Sequence, residues 1–323
     1  MTRPSPDPSP RTPNFRLLAI IGTAITMIGV IVGITADGGS IYDRWLKGPS
    51  NVTPSQTQDT ENYNNRGNEH YHMGNYEQAL ADYNRAIQLN PKFADPYNGR
   101  GVVYENQGNY EQAFADYNRA IQLNPKFADP YDSRGNVYYY QGNYEQALAD
   151  YNRAIQLNPK FADPYNGRGV VYENQGNYGQ ALADYNQALQ NYNQDIQLNP
   201  NFADSYNGRG NVYYNQRKYE QAIADYNRAI QLNPKFADPY NNRGVVYEKQ
   251  GNYEQALADY NRAIQLNPKS PTTYFNRGVS YKLNKNIEKS ISDFEKAADL
   301  YKQQGNQKWY QNSLDQLKEL RGN

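Results

Sequence analysis

The sequence predicts an all-α chain, one membrane-spanning helix followed by an α-solenoid of helix-turn-helix repeats, and three observations carry that prediction. A block of the form NYEQALADYNRAIQLNP recurs along the chain, its closing prolines Pro91, Pro125, Pro159, Pro200, Pro234 and Pro268 lying 34, 34, 41, 34 and 34 residues apart. A fixed period of this size marks stacked supersecondary units. Within each block the apolar residues fall at helical spacing, with Gly-Asn turns and Asn-Pro stops between the helices. Ahead of the repeats, Leu17 to Ala36 is twenty residues without a charge, which at ~1.5 Å rise per residue matches the ~30 Å hydrocarbon thickness of a bilayer.

Taken in order, residues 1–16 carry Pro4, Pro6, Pro8, Pro10 and Pro13 among polar residues, a composition for an extended, disordered tail. Residues 17–36 follow as the transmembrane helix, longer in its apolar run than a cleaved signal peptide requires. Arg3, Arg11 and Arg16 precede the span and Arg44 and Lys47 follow it, a bias that places the N-terminus in the cytoplasm and the repeats outside it. Gly29 and Gly33 form a small-residue pair that would let two such helices pack as a homo-oligomer, although glycine is common in membrane helices for other reasons. Residues 37–59 read as a flexible linker, 60–302 as seven repeats with a seven-residue insertion in the fourth, and 303–323 as a C-terminal capping helix marked by Trp309, Leu314, Leu317 and Leu320.

Composition narrows the function classes. Lys plus Arg and Asp plus Glu number 33 each, so the basic excess that drives binding to phosphate backbones is absent and nucleic acid is not expected as a partner. With no cysteine there is neither disulfide nor thiolate metal site. The 33 tyrosines point to a core of Tyr and Ala.

Counting Ala94 as position 1 of the second copy, Tyr97 stands at position 4, Gly101 at 8, Tyr104 at 11, Ala113 at 20, Tyr117 at 24, Ala120 at 27 and Pro125 at 32. In these positions the chain resembles the tetratricopeptide repeat (TPR) family. The resemblance implies a right-handed superhelix of hairpins with a concave groove lined by the first helix of each. Asp95 reads as the N-cap of such a first helix, with Pro96 at its first turn. Position 7, usually Leu in the family, is Arg66, Arg100, Arg134, Arg168, Arg209, Arg243 and Arg277 here, and every copy has Asp at position 23, from Asp82 to Asp293. An ion pair joining the two helices of each hairpin is expected.

Groove positions alternate between copies. The odd ones carry Asn68, Asn136 and Asn211 at position 9 with Tyr71, Tyr139 and Tyr214 at 12, and the even ones Val102, Val170 and Val245 with Glu105, Glu173 and Glu248. Duplication of a two-hairpin unit accounts for the pattern; so would a groove with evenly spaced partner contacts. With Asn98, Asp132, Asn166, Asn207 and Asn241 at position 5, the groove is polar to acidic and suits a neutral or basic protein segment. The insertion spans Tyr185 to Asn191 and is echoed by Tyr192 to Leu198. Seven residues make nearly two helical turns, so it should lengthen the second helix rather than form a loop.

No catalytic, metal or cofactor site is expected. His70 and His72, the only histidines, point to different helix faces, and most carboxylates are repeat copies rather than a single constellation. The chain reads as a non-enzymatic, membrane-tethered scaffold, with a self-associating structural protein lacking a separate ligand as the other reading.

Overall fold

A computed structural model describes residues 54–322. The tail, the Leu17 to Ala36 span and most of the linker lie outside the described residues, among which no helix is long and apolar enough to cross a membrane. Fifteen helices and no strand are found there: α1 (Pro54–His72), α2 (Tyr76–Leu89), α3 (Asp95–Asn106), α4 (Tyr110–Leu123), α5 (Ala128–Tyr140), α6 (Tyr144–Leu157), α7 (Ala162–Asn174), α8 (Tyr178–Leu198), α9 (Ala203–Asn215), α10 (Tyr219–Leu232), α11 (Ala237–Lys249), α12 (Tyr253–Leu266), α13 (Pro271–Leu283), α14 (Ile287–Gln303) and α15 (Gln307–Arg321). They pair as seven hairpins, α1 with α2 through α13 with α14, each stacked on the next, and α15 packs on α14. Trp309, Leu314, Leu317 and Leu320 of α15 join Phe275, Phe294 and Tyr301 in the last apolar cluster.

Each hairpin turn needs one residue in the left-handed region. Glycine supplies it at Gly74, Gly108, Gly142, Gly176 and Gly251 (φ 72–81°), whereas the fifth and seventh copies use Arg217 (φ 61°) and Lys285 (φ 59°), at some steric cost. One local expectation fails: α3 begins at Asp95 rather than after it, and its cap residue Ala94 offers no side chain to the helix N-terminus. The start is carried instead by Pro96 in the first turn, whose φ is already helical.

Tyrosine builds the core. Tyr83, Tyr117, Tyr151, Tyr226 and Tyr260 are completely or almost completely buried. Tyr83 lies across Gly67 of its own hairpin and Gly99 of the next, where an added Cβ would come within 2.7 Å of the ring. The glycines are therefore the slots into which the rings fit, and Ala at positions 20 and 27 is buried beside them.

The expected Arg–Asp pair is present in every hairpin. Position 7 arginine donates Nε and Nη2 to both carboxylate oxygens of the position 23 aspartate at 2.5–2.8 Å, as Arg134 does to Asp150. From the second copy onward the remaining amine reaches back to Asn at position 25 of the preceding second helix: Arg100 to Asn84, Arg134 to Asn118, Arg168 to Asn152, Arg209 to Asn193, Arg243 to Asn227 and Arg277 to Asn261. The guanidinium also lies over the tyrosines at positions 4 and 11, Tyr97 and Tyr104 for Arg100. One side chain thus ties three helices together. Among the described residues no helix precedes the one that carries Arg66, and its side chain is 55% exposed against 19% for Arg134.

Asp150→Ala should strand Arg134 without its counter-ion and cost about 3 kcal/mol, whereas Asp82→Ala, facing the solvated Arg66, should cost far less. Chemical denaturation of the two variants checks the order; a loss of no more than about 0.5 kcal/mol in both would show that the pair contributes nothing beyond surface charge.

Candidate partner-binding interior

The first helices line an inner face, but that face is closed. Asn98, Val102, Glu105, Asp132, Asn136, Asn166, Val170, Asn207, Asn211, Asn241 and Val245 are buried, and Tyr139, Glu173, Tyr214 and Glu248 are partly buried. The open groove expected from the sequence is absent because the array coils back on itself. Asn233 Nδ2 donates to the His72 carbonyl at 3.1 Å, the His72 and Phe202 rings are 6.5 Å apart, Lys269 Nζ lies 3.8 Å from Glu77, and the Gln304 side chain sits over Gly108. Where the second and third hairpins meet the end of the last and the start of α15, Tyr110, Phe114, Tyr140 and residues 303–308 line an open cleft of about 1030 Å3.

The alternation at positions 9 and 12 has a folding explanation. A buried tyrosine hydroxyl at position 24 needs an acceptor. In odd copies it donates to the position 9 amide, Tyr83 to Asn68, Tyr151 to Asn136 and Tyr226 to Asn211, at 2.7–2.8 Å. In even copies position 9 is Val, and the hydroxyl donates instead to the position 12 carboxylate, Tyr117 to Glu105, Tyr185 to Glu173 and Tyr260 to Glu248. Val102, Val170 and Val245 join the apolar clusters. Tyr71 and Tyr139 of the odd copies accept in turn from Asn106 and Asn174 of the even ones. The two-hairpin period is a hydrogen-bonding unit, so these residues are corrected from groove contacts to core.

Position 5 behaves differently. From the third copy onward other amides satisfy it: Asn276 of position 6 donates to Asn241, Asn241 donates to Asn242 of position 6, Asn242 donates to Asn207, Asn215 of position 13 donates to Asn166, and Asn136 of position 9 donates to Asp132. At the beginning they do not. Neither Nδ2 nor Oδ1 of fully buried Asn98 has a hydrogen-bond partner, and the Oδ1 of buried Asn64 has none. Asn64, position 5 of the first copy, was not singled out from the sequence, although its register matches that of Asn98.

The coil also gathers acid. Burial pushes Asp238 up to about 7, and burial with Asp163 nearby pushes Asp195 up to about 6. Asp204 is raised well above the usual carboxylate range by burial and then by Asp163 and Asp238, and its Oδ1 is buried without a hydrogen-bond partner. Burial lowers His72 to about 4, which leaves it neutral at pH 7. Among the described residues no group of three or more His, Cys, Asp or Glu could hold a metal ion.

Paired helices, glycine slots and a 34-residue period agree with the comparisons. The family described as TPR repeat matches residues 67–108, 135–176, 175–217 and 210–251, and tetratricopeptide repeat families match residues 94–127, 237–270 and 271–306. The chain belongs to the tetratricopeptide repeat family. No curated protein matches it. Solved structures similar to this TPR chain include a tetratricopeptide repeat protein from Parabacteroides merdae (20% identity, 80% of this chain and 99% of that one, TM-score 0.47). MamA (22%, 53% and 96%, 0.36) is another, and a third is YrrB, a TPR protein with an unusual peptide-binding site (24%, 62% and 97%, 0.34). TPR proteins generally mediate protein–protein interaction.

Asp195 stands where the other second helices have a buried alanine, such as Ala154. Its folded pKa of about 6 exceeds the ordinary 3.8, so the folded state holds its proton longer and stability falls as pH rises from about 4 through 6. Asp195→Ala should therefore raise the melting temperature more at pH 7.5 than at pH 5. A gain independent of pH would mean that the carboxylate is fully hydrated.

Proposed function

We propose that this TPR chain is a non-enzymatic adaptor that holds an extended, neutral or basic segment of a partner protein along its inner face. The observation that carries the proposal is the Asn98 amide, buried with both its donor and its acceptor unused. An unpaired amide of this kind costs on the order of 1–3 kcal/mol, and a peptide backbone, which offers one donor and one acceptor per residue, fits it. Burial disfavours the charged forms of Asp204 and Asp238, and positive charge on the segment would relieve that by drawing their protons off. Entry requires the coil to loosen. The contacts that close it include the exposed pair of Lys269 with Glu77, of the kind worth little, and a single ring contact between His72 and Phe202.

The Leu17 to Ala36 span would tether this adaptor to a membrane, with the N-terminus cytoplasmic and the repeats on the far side. Protease added to intact cells would then digest the repeats, and protection of the repeats would reverse the orientation.

Peptides selected from a random library on the solubilised full chain should be neutral or basic. Asn98→Leu should weaken them about tenfold or more while stabilising the free protein, because it removes the unpaired amide. Undiminished binding to Asn98→Leu would remove the proposal.

A further inference from the structure

Whatever recurs in every copy is accounted for by folding, which leaves the fourth hairpin as the place where the array breaks its own rule. Helix α8 has 21 residues where the other second helices of complete 34-residue repeats have 14. The seven extra residues add nearly two turns, or about 10 Å, and keep the same face inward. They divide a task that one tyrosine performs elsewhere. Tyr151 covers both Gly135 of its own hairpin and Gly167 of the next, whereas in the fourth copy Tyr185 covers Gly169 and Tyr192 covers Gly208. Arg209 likewise reaches Asn193 rather than Asn186, and Asn186 accepts instead from Gln216 at 3.2 Å.

Helix α9 therefore docks two turns further along α8 than its counterparts dock elsewhere. The first two turns of α8 lose the cover that the next first helix gives at other junctions, where the Tyr138 ring packs edge-on against Phe114 at 4.8 Å. The positions equivalent to Tyr178 and Leu182 are partly buried in the other copies of the 34-residue repeat, as with Tyr144 and Leu148, and only the diverged seventh copy also exposes the first of them, at Ile287. Here Tyr178 is 64% and Leu182 54% exposed. They are one helical turn apart, and the uncovered stretch opens a cleft of about 260 Å3 walled by Ala181, Tyr185, Glu173, Asn215 and Lys218.

We propose that this cleft is a second docking site, which receives an aromatic side chain from a short amphipathic helix of another protein. The occupant takes the place that the following first helix fills at the other junctions. The volume lies below the ~300–1,000 Å3 that encloses a whole small ligand, so the cleft takes one anchoring side chain, and aromatic anchors dominate such contacts. Glu173 and Lys218 bring opposite charges to the walls and Asn215 brings an amide, so the surroundings of the anchor are polar and without a strong sign. The interface continues the α8–α9 contact, and its chemistry is that of the repeats themselves. It does not depend on what occupies the inner face.

A stapled, fluorescein-labelled peptide with the sequence of residues 128–140 serves as the probe, since its Tyr138 is the ring that covers Phe114. The full chain should bind it saturably, and the peptide carrying Tyr138→Ala should bind about tenfold more weakly or worse. Leu182→Glu or Tyr178→Glu, each at an exposed position, should reduce binding of the parent peptide to the same degree with an unchanged melting temperature. Deleting residues 185–191 restores the 34-residue spacing, re-covers the first turns of α8 and should abolish binding. No saturable binding to the full chain, or equal binding by Leu182→Glu, overturns the proposal. So does a wild-type dimer that Leu182→Glu dissociates, which would make a second copy the occupant. Should the deletion variant fail to fold, the two point variants still decide.

Discussion

The position 7 arginine is the constraint on which the rest of the array depends. Its planar guanidinium presents donors in a fixed fork. In this chain two of its nitrogens hold the aspartate of the same hairpin and the third holds an asparagine of the hairpin before, while tyrosines stack on its faces. Lysine could not make these contacts together, because a single ammonium has no planar fork. The aspartate bond closes a hairpin and the asparagine bond joins hairpins. No hairpin is thus complete without its neighbour, which is why order spreads along a line and the two ends differ. Arg66 opens to solvent at one end, and at the other Arg321 of α15 reaches Glu295, the position 25 residue of the last copy.

A tyrosine core imposes a second requirement. Each buried ring brings a hydroxyl that must find an acceptor, and this chain answers in two ways, with an amide at position 9 or a carboxylate at position 12. The choice fixes what else can occupy those positions, since Val fills position 9 when Glu serves at position 12. Pairing an odd with an even copy also places a tyrosine of one beside an asparagine of the other, as in Tyr71 with Asn106. The two-hairpin period thus needs no partner to explain it, and the amides of position 5 that remain unsatisfied become the more informative residues.

The seven-residue insertion shows how a repeat array gains an individual feature. A length close to two helical turns preserves the inward face, so the fold tolerates it, yet the next hairpin must follow the new end of α8. Cover is lost at both ends of the helix. Tyr178 and Leu182 are uncovered at its start, and Leu198, which has outrun its own partner α7, is 85% exposed at its end.

From the sequence alone came the helices, their pairing, the turn positions, the Arg–Asp pair and the lengthened α8, because each rests on local spacing or on a residue repeated seven times. The failure of Asp95 as a cap was not legible there, since whether a helix starts at a residue or just after it depends on how the preceding turn packs. Nor was the closing of the inner face. Curvature accumulates from small rotations between neighbouring hairpins, and only their sum over the whole array decides whether His72 meets Phe202, whether Asn98 is buried, and whether a polar stripe is an open groove or a closed interior.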